Sequence, residues 1–343
     1  MARRYLLLKT CLAAVIGPAI LAGCRKNTTP TQQPTAKSTS NRETGDNRPE
    51  GADDRDDPHA PGCLPRSYAV GDWLKREPVR VAGPPELTSL ADATLADRAA
   101  HFRIKSAAAC AYALDRPDGC VVARVCLIEA ERPEDAYGLV TCATRATETL
   151  PIGGLTRVER STPLRFHTWQ GYDYIRVTLD PPNRDSEREV QRLLMRIVAH
   201  LPREDSPALL EAMPTQMAVP GRKRLVRDLA CLPPGDLPFA SSEDAATASR
   251  LLGLGHDTLM CIADYTVPQA HRANTLWLVE YPDQTTAHAA HDRYEMFLTT
   301  ATDPVSQSTN LMQSHGRFII GTWTAEEESI QYMMPQIARL LPS

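Results

Sequence analysis

After residue 62 the apolar positions recur in two matching series. In the first, Ala107–Leu114 and Val121–Glu129 are apolar runs of strand length. They flank Arg116-Pro117-Asp118-Gly119, whose residues favour a tight hairpin turn. A helix is predicted from Pro133 to about Thr147, with proline at the first position, where its missing N–H costs no hydrogen bond. Leu164–Trp169 and Tyr172–Leu179 read as a second strand pair hinged at Gln170-Gly171. Val190–Pro202 then spaces its apolar residues along one helix face.

The second series repeats this order. Strands are predicted at Thr258–Val267 and Thr275–Tyr281, a helix at Gln284–Thr300, and a hairpin turning at His315-Gly316. A closing helix spans Ile330–Pro342, with Pro335 expected to kink it. A shift of 140 places Ile197 on Ile337, Leu201 on Leu341 and Pro202 on Pro342. A shift of 151 places Cys110 on Cys261, Leu127 on Leu278, Glu129 on Glu280 and Ala136 on Ala287. A further helix precedes each series, near Leu87–Phe102 and Ser242–Leu254, and each half opens on the same tripeptide, Cys63-Leu64-Pro65 and Cys231-Leu232-Pro233. Fixed-period similarity of this kind is the mark of an internal duplication. The expected fold is α+β: two tandem ββαββα-type repeats, over 63–220 and 221–343, each an antiparallel sheet with helices on one face. The pattern leaves open whether the sheets join.

The region ahead of the repeats has a different character. Arg3 and Arg4 precede an apolar stretch from Thr10 to Leu21, too short for an ordinary membrane span and suited to a signal peptide. It ends Leu21-Ala22-Gly23-Cys24, which resembles the bacterial lipobox. The resemblance implies cleavage after Gly23 and acylation of Cys24, with palmitate or a similar chain anchoring the protein to a membrane. Residues 1–23 are thus expected to be a lipoprotein signal peptide. Arg25 is not the aspartate that retains many such proteins at the inner membrane, so the outer membrane is favoured if the cell has one. Residues 24–62 are polar and proline-rich, and are expected to be a disordered tether. Within them Asp53–Asp57 and His59 are better explained as a solvated linker than as a cation site.

The leader holds Arg3, Arg4 and Lys9, so the remainder carries 35 basic against 42 acidic side chains, net −7. No basic run stands out, and nucleic-acid binding is not expected.

The segment EAERPEDAYGLV, Glu129–Val140, with Val70-Gly71-Asp72-Trp73 ahead of it, resembles the bacterial exported proteins grouped as domain of unknown function 6599. The resemblance covers most of the chain after Cys63. It implies export, and it brings neither an activity nor catalytic residues.

Chemistry-bearing patterns are sparse. His288, His291, Asp292 and Glu295 stand at helical spacing and could bind zinc. A core-edge His291 beside solvated neighbours explains them better, and no metal or cofactor is expected. The patterns H-E-x-x-H, G-x-S-x-G and C-x-x-C are absent. Gly253-Leu254-Gly255 is better explained as a helix end than as a phosphate loop. Glu129 and Glu280 occupy equivalent strand ends and could form an acid pair, although each could instead favour the following helix N-terminus. His167 lies in the aromatic stretch His167–Tyr174, which suits strand packing or a ligand groove.

Seven cysteines follow Cys24, and an exported chain meets an oxidising environment. The scheme that treats both halves alike is Cys63–Cys110 and Cys231–Cys261, each closure contributing about 3–4 kcal/mol in the chain-entropy model. Cys110–Cys126 across the first hairpin is a rival, and reduced burial of all of them is another. Cys120, Cys126 and Cys142 have no counterpart in the second half.

The expectation is a lipid-anchored envelope binding or assembly module. Its partners would be the membrane through Cys24 and an envelope protein or small ligand. The alternative is an envelope enzyme with a site between the repeats, using Glu129, His167 and Glu280.

Overall fold

The computed structural model describes residues 62–116, 119–233, 235–237, 239, 241–266, 274–300 and 309–323, with 335, 337, 339 and 341. All belong to one unit, Asp53–Ser343. The leader, Cys24, the tether up to residue 61, the Pro117-Asp118 turn and most of Ile330–Pro342 lie outside the described residues.

The first half begins with β1 (Leu74–Lys75), β2 (Arg80–Ala82), a 3-10 turn at Pro84–Ser89 and α1 (Ala93–Ala99). The single helix expected over Leu87–Phe102 is therefore split. Asp92 starts α1 anew by accepting a hydrogen bond from the Leu95 amide. Then come β3 (Ile104–Arg116), β4 (Gly119–Ala130), α2 (Pro133–Ala143), β5 (Thr149–Leu150), β6 (Leu155–Glu159), β7 (Leu164–Gln170), β8 (Asp173–Asp180) and α3 (Arg184–Val198). Helix α2 stops short of Thr147 because Thr144 turns extended, with φ −144° and ψ 147°.

The second half contains α4 (Ala208–Glu211), β9 (Arg224–Val226), a 3-10 turn at Leu229–Cys231, α5 (Ser242–Leu252), β10 (Leu259–Tyr265), β11 (Asn274–Glu280), α6 (Gln284–Thr300), β12 (Thr309–His315) and β13 (Phe318–Trp323). Helix α5 has its ends written in the sequence. Ser241 and Asp244 form a reciprocal capping box, and Gly253 closes the helix at φ +63°, where a side chain would be strained.

The fold is α+β with two separate antiparallel sheets. One runs β1-β3-β4-β8-β7-β6-β5, with β2 also on β3, and the other runs β12-β13-β11-β10-β9. In each, the two hairpins of that half are ordered first, second, fourth, third strand. Residues matched by sequence shift occupy like places. Cys110 and Leu127 face the outer core of the first sheet, while Cys261 and Leu278 face the outer core of the second. Ile197 and Leu201 cover the first of these cores, and Ile337 and Leu341 the second.

Two expectations need correction. Helices were expected on one face of each sheet, and they lie on both. Along β4, Val125 and Leu127 point to the core under α3, while Cys126 and Ile128 point to the core containing α2. A strand covered twice has little polar surface, so it reads as a nearly continuous apolar run. The second correction concerns Cys63 and Cys231. Despite their shared tripeptide, Cys63 lies in the outer core of the first sheet and Cys231 in the inner core common to both sheets.

Helix α2 is the junction between the sheets. It packs on β4, β7 and β8 of the first and on β9 of the second. Gly138 makes this approach possible. A Cβ there would stand 2.8 Å from the Leu225 carbonyl oxygen and 2.5 Å from the Phe102 ring. Among the described residues, no helix is long and apolar enough to cross a membrane.

Candidate anion-binding cleft

The inner face of the first sheet changes character along its strands. Near α2 it is apolar, with Ala107, Ile128, Trp169 and Tyr174. Beyond the helix, the register sets a row of polar side chains across neighbouring strands. Ala109 opposes Cys126, Cys126 opposes Arg176, Arg176 opposes His167, and His167 opposes Arg157. The next row on this face runs Ala111, Arg124, Thr178, Arg165, Glu159. Strand β2 adds Arg80 opposite Ala109.

These rows border a cavity of about 330 Å³, walled by Arg80, Arg124, Arg165 and Arg176 and by Glu77 and Asp92. Ala109 and Ala111 form part of its floor, and their short side chains leave the space open. Four guanidinium groups against two carboxylates give it a positive excess in a protein of negative net charge. Arg176 is committed to Asp92, and Arg165 to Glu159 at 3.0 Å. Burial opposes ionisation of Asp92, but the Leu95 amide and Arg176 outweigh it and hold the carboxyl below its ordinary range. Arg80 and Arg124 are exposed and have no carboxylate at ion-pair distance among the described residues. Arg124 can meet a ligand, and Arg80, which donates to the Ser89 carbonyl at 3.3 Å, keeps further N–H groups for one.

His167 lies behind this wall, only 3% exposed. Its Nδ1 is 2.9 Å from the Tyr174 hydroxyl, and its Nε2 is 3.4 Å from the Glu159 carboxylate. A neutral ring with its proton on Nε2 suits both neighbours, since Tyr174 can then donate to Nδ1. Burial pushes the His167 pKa down, which favours that neutral form. Its contacts mark it as a support for the polar row.

Two larger hollows border both halves. One, of about 570 Å³, is lined by Arg98, Arg145, Arg160, Glu159 and Pro233 among others. Its arginines are already engaged: Arg98 with the Ala143 carbonyl, Arg145 with Asp236, and Arg160 with Glu148 and Glu187. The other, of about 450 Å³, lies between Leu87, Phe102 and His256 and is mainly apolar. The smaller cleft therefore has the better chemistry for a charged ligand.

The residues proposed for an inter-repeat acid site do not share a set of partners. Glu129 meets Lys105 and Ser106 at 2.6 and 2.9 Å, whereas Glu280 meets Arg317 at 2.6 Å. The carboxyl paired in register with Glu129 is Asp173 on β8. Burial, with Glu129 adding repulsion, pushes Asp173 up to about 7. This acid pair projects toward the α3 side, away from the arginine cleft. It was not legible in the sequence, because Glu129 and Asp173 meet only through strand register.

On α6, His291 is partly buried, with Nδ1 3.6 Å from Asp292 and 3.8 Å from Glu295, while His288 is exposed. The donor atoms of His291, Asp292 and Glu295 lie within 4.8 Å of one another. Both carboxylates are mostly exposed, so the group is shaped as a solvated helix surface.

The structure contradicts one of the two symmetric disulfide pairings. Cys63 and Cys110 share the α3-side core and influence one another electrostatically. Cys231 and Cys261 lie on opposite faces of the second sheet, so that pairing is wrong. Cys110–Cys126 is excluded for the same reason across the first sheet: Cys110 opposes Val125, and Cys126 points the other way. The thiol facing Cys231 is that of Cys142, with 3.2 Å between the sulfurs.

No family model matches this chain, and no curated protein or solved structure matches it either.

Proposed function

We propose that the chain is an exported, lipid-anchored envelope protein that binds a small ligand bearing an oxyanion, phosphate or carboxylate, in the arginine cleft. The lipobox-like Leu21–Cys24 supports the address, and the resemblance of Glu129–Val140 to domain of unknown function 6599 points the same way. The binding role rests on Arg80 and Arg124, two guanidinium groups without carboxylate partners over an alanine floor. Guanidinium forks bind oxyanions through paired N–H donors, each charge-assisted bond contributing about 1.5–3 kcal/mol. The committed Arg176–Asp92 and Arg165–Glu159 pairs hold the cleft walls in place.

The test is titration calorimetry at low salt with inorganic phosphate, pyrophosphate and citrate. Saturable binding of at least one probe is expected, weakening with salt. The Arg80→Ala/Arg124→Ala variant should lose at least about tenfold in affinity with its melting temperature unchanged. A wild-type protein that binds none of the three overturns the reading.

A second reading, an envelope enzyme, is supported by Asp173, whose carboxyl is pushed up to about 7 beside Glu129. A proton held near neutrality is what general acid catalysis requires. That chemistry would sit on the opposite face of the sheet from the cleft.

A further inference from the structure

We propose that Cys142 and Cys231 form a disulfide that locks the two halves of the protein together. Cys142 lies on the last turn of α2, in the first half, and Cys231 ends the 3-10 turn after β9, in the second. Their sulfurs are 3.2 Å apart across 89 residues of sequence. The sulfurs need to approach by only about 1 Å to reach the disulfide bond length of about 2.05 Å, a shift within reach of side-chain rotation.

The positioning is independent of the thiols. On the helix side, the Leu225 amide donates to Thr141 Oγ1 at 3.3 Å, tying the residue before Cys142 to β9. On the turn side, Asp228 accepts from the Ala230 amide at 2.9 Å and from Ser249 at 2.9 Å, and contacts His101 at 3.2 Å. Arg227, four residues before Cys231, is held by Asp135 of α2. Thus both cysteines are set by hydrogen-bonded networks that span the junction.

The chemistry needs a two-electron oxidant, and a disulfide-bearing thiol oxidant of an oxidising compartment supplies it. One cysteine thiolate attacks the oxidant's disulfide, forming a mixed disulfide and releasing one oxidant thiol. The second cysteine thiolate attacks that mixed bond. The Cys142–Cys231 bond forms, and the oxidant leaves with both of its sulfurs reduced and protonated. Cys142 and Cys231 are 0% and 1% exposed, so neither is open to attack once the fold has closed. The bond must form while α2 is still docking on β9, and it is then shielded from reductants.

The test uses the mature chain isolated from the envelope, and the same chain refolded with oxidised and reduced glutathione. Free thiols are alkylated under denaturing, non-reducing conditions and the digest is read by mass spectrometry. The expected result is a peptide pair joined through Cys142 and Cys231, in both preparations. Refolding with glutathione makes the result independent of the lipid anchor, so failure of the address and failure of the disulfide are distinguishable. Reduction before heating should lower the melting temperature of the wild type by about 5–10 °C. It should not do so in Cys142→Ala/Cys231→Ala. If that variant does not fold, the wild-type comparison of oxidised and reduced forms still decides. Recovery of both residues alkylated, or of Cys231 joined to any other cysteine, overturns the proposal.

Discussion

Asp135 in α2 and Arg227 just after β9 form an ion pair that is 0% and 2% exposed, one partner from each half. The guanidinium also donates to the carbonyls of His256 and Thr258, at 2.7 and 2.9 Å. Its donors are thus shared between the pair and the backbone leading into β10. Removing the cation leaves a buried carboxylate and two carbonyls without their donor. Arg227→Ala should therefore lose about 3–5 kcal/mol in urea unfolding. Asp135→Ala/Arg227→Ala should recover part of that loss, since no unpaired charge remains. Simple additivity of the two single substitutions would show that the pair is uncoupled.

Gly138 sets the distance between α2 and β9. A methyl group there meets the Leu225 carbonyl oxygen, which is backbone and cannot swing away. Gly138→Ala is expected to cost about 1–3 kcal/mol. Adding Phe102→Leu should relieve only the contact with the ring. Thermal denaturation of the single and double variants measures both.

Asp173 gives a pH dependence of defined sign. The unfolded acid ionises near 3.8, while burial keeps the folded acid protonated up to about 7. Below the lower value both states hold the proton, and the group contributes nothing to the slope. Between the two values the unfolded state releases its proton first, so stability falls as pH rises. Across this window the loss is on the order of 2–4 kcal/mol. Asp173→Asn cannot ionise, and its stability relative to wild type should climb from pH 4 to pH 7. Parallel profiles for the two proteins would contradict the buried-acid assignment.

Cys24 is the residue on which the proposed anchor depends. Cys24→Ser should abolish labelling by a fatty-acid analogue and release the protein from membranes on fractionation. Equal retention of the variant would remove the lipoprotein reading.

Much of the local structure could be read along the chain. Paired apolar runs marked β3 and β4, Pro133 marked the start of α2, and Gly253 marked the end of α5. These features depend on neighbours within a few residues, where propensity and capping act. The two hairpins of each half were legible for the same reason, and the described strands of both sheets take the same order. What the sequence left open was decided between elements. Cys63-Leu64-Pro65 and Cys231-Leu232-Pro233 are identical in letters, yet one segment enters an outer core and the other the shared inner core. The arginine cleft joins residues from β2, β4, β7 and β8, and only strand register places them in adjacent rows. Because side chains alternate between faces, a slip of one residue would send each arginine to the other side. Cys142 meets Cys231 only because Gly138 lets a helix of one half rest against a strand of the other. Local sequence specified the elements. The packing of two double-covered sheets around α2 specified which distant side chains could interact, since that depends on the face and depth each element presents after docking.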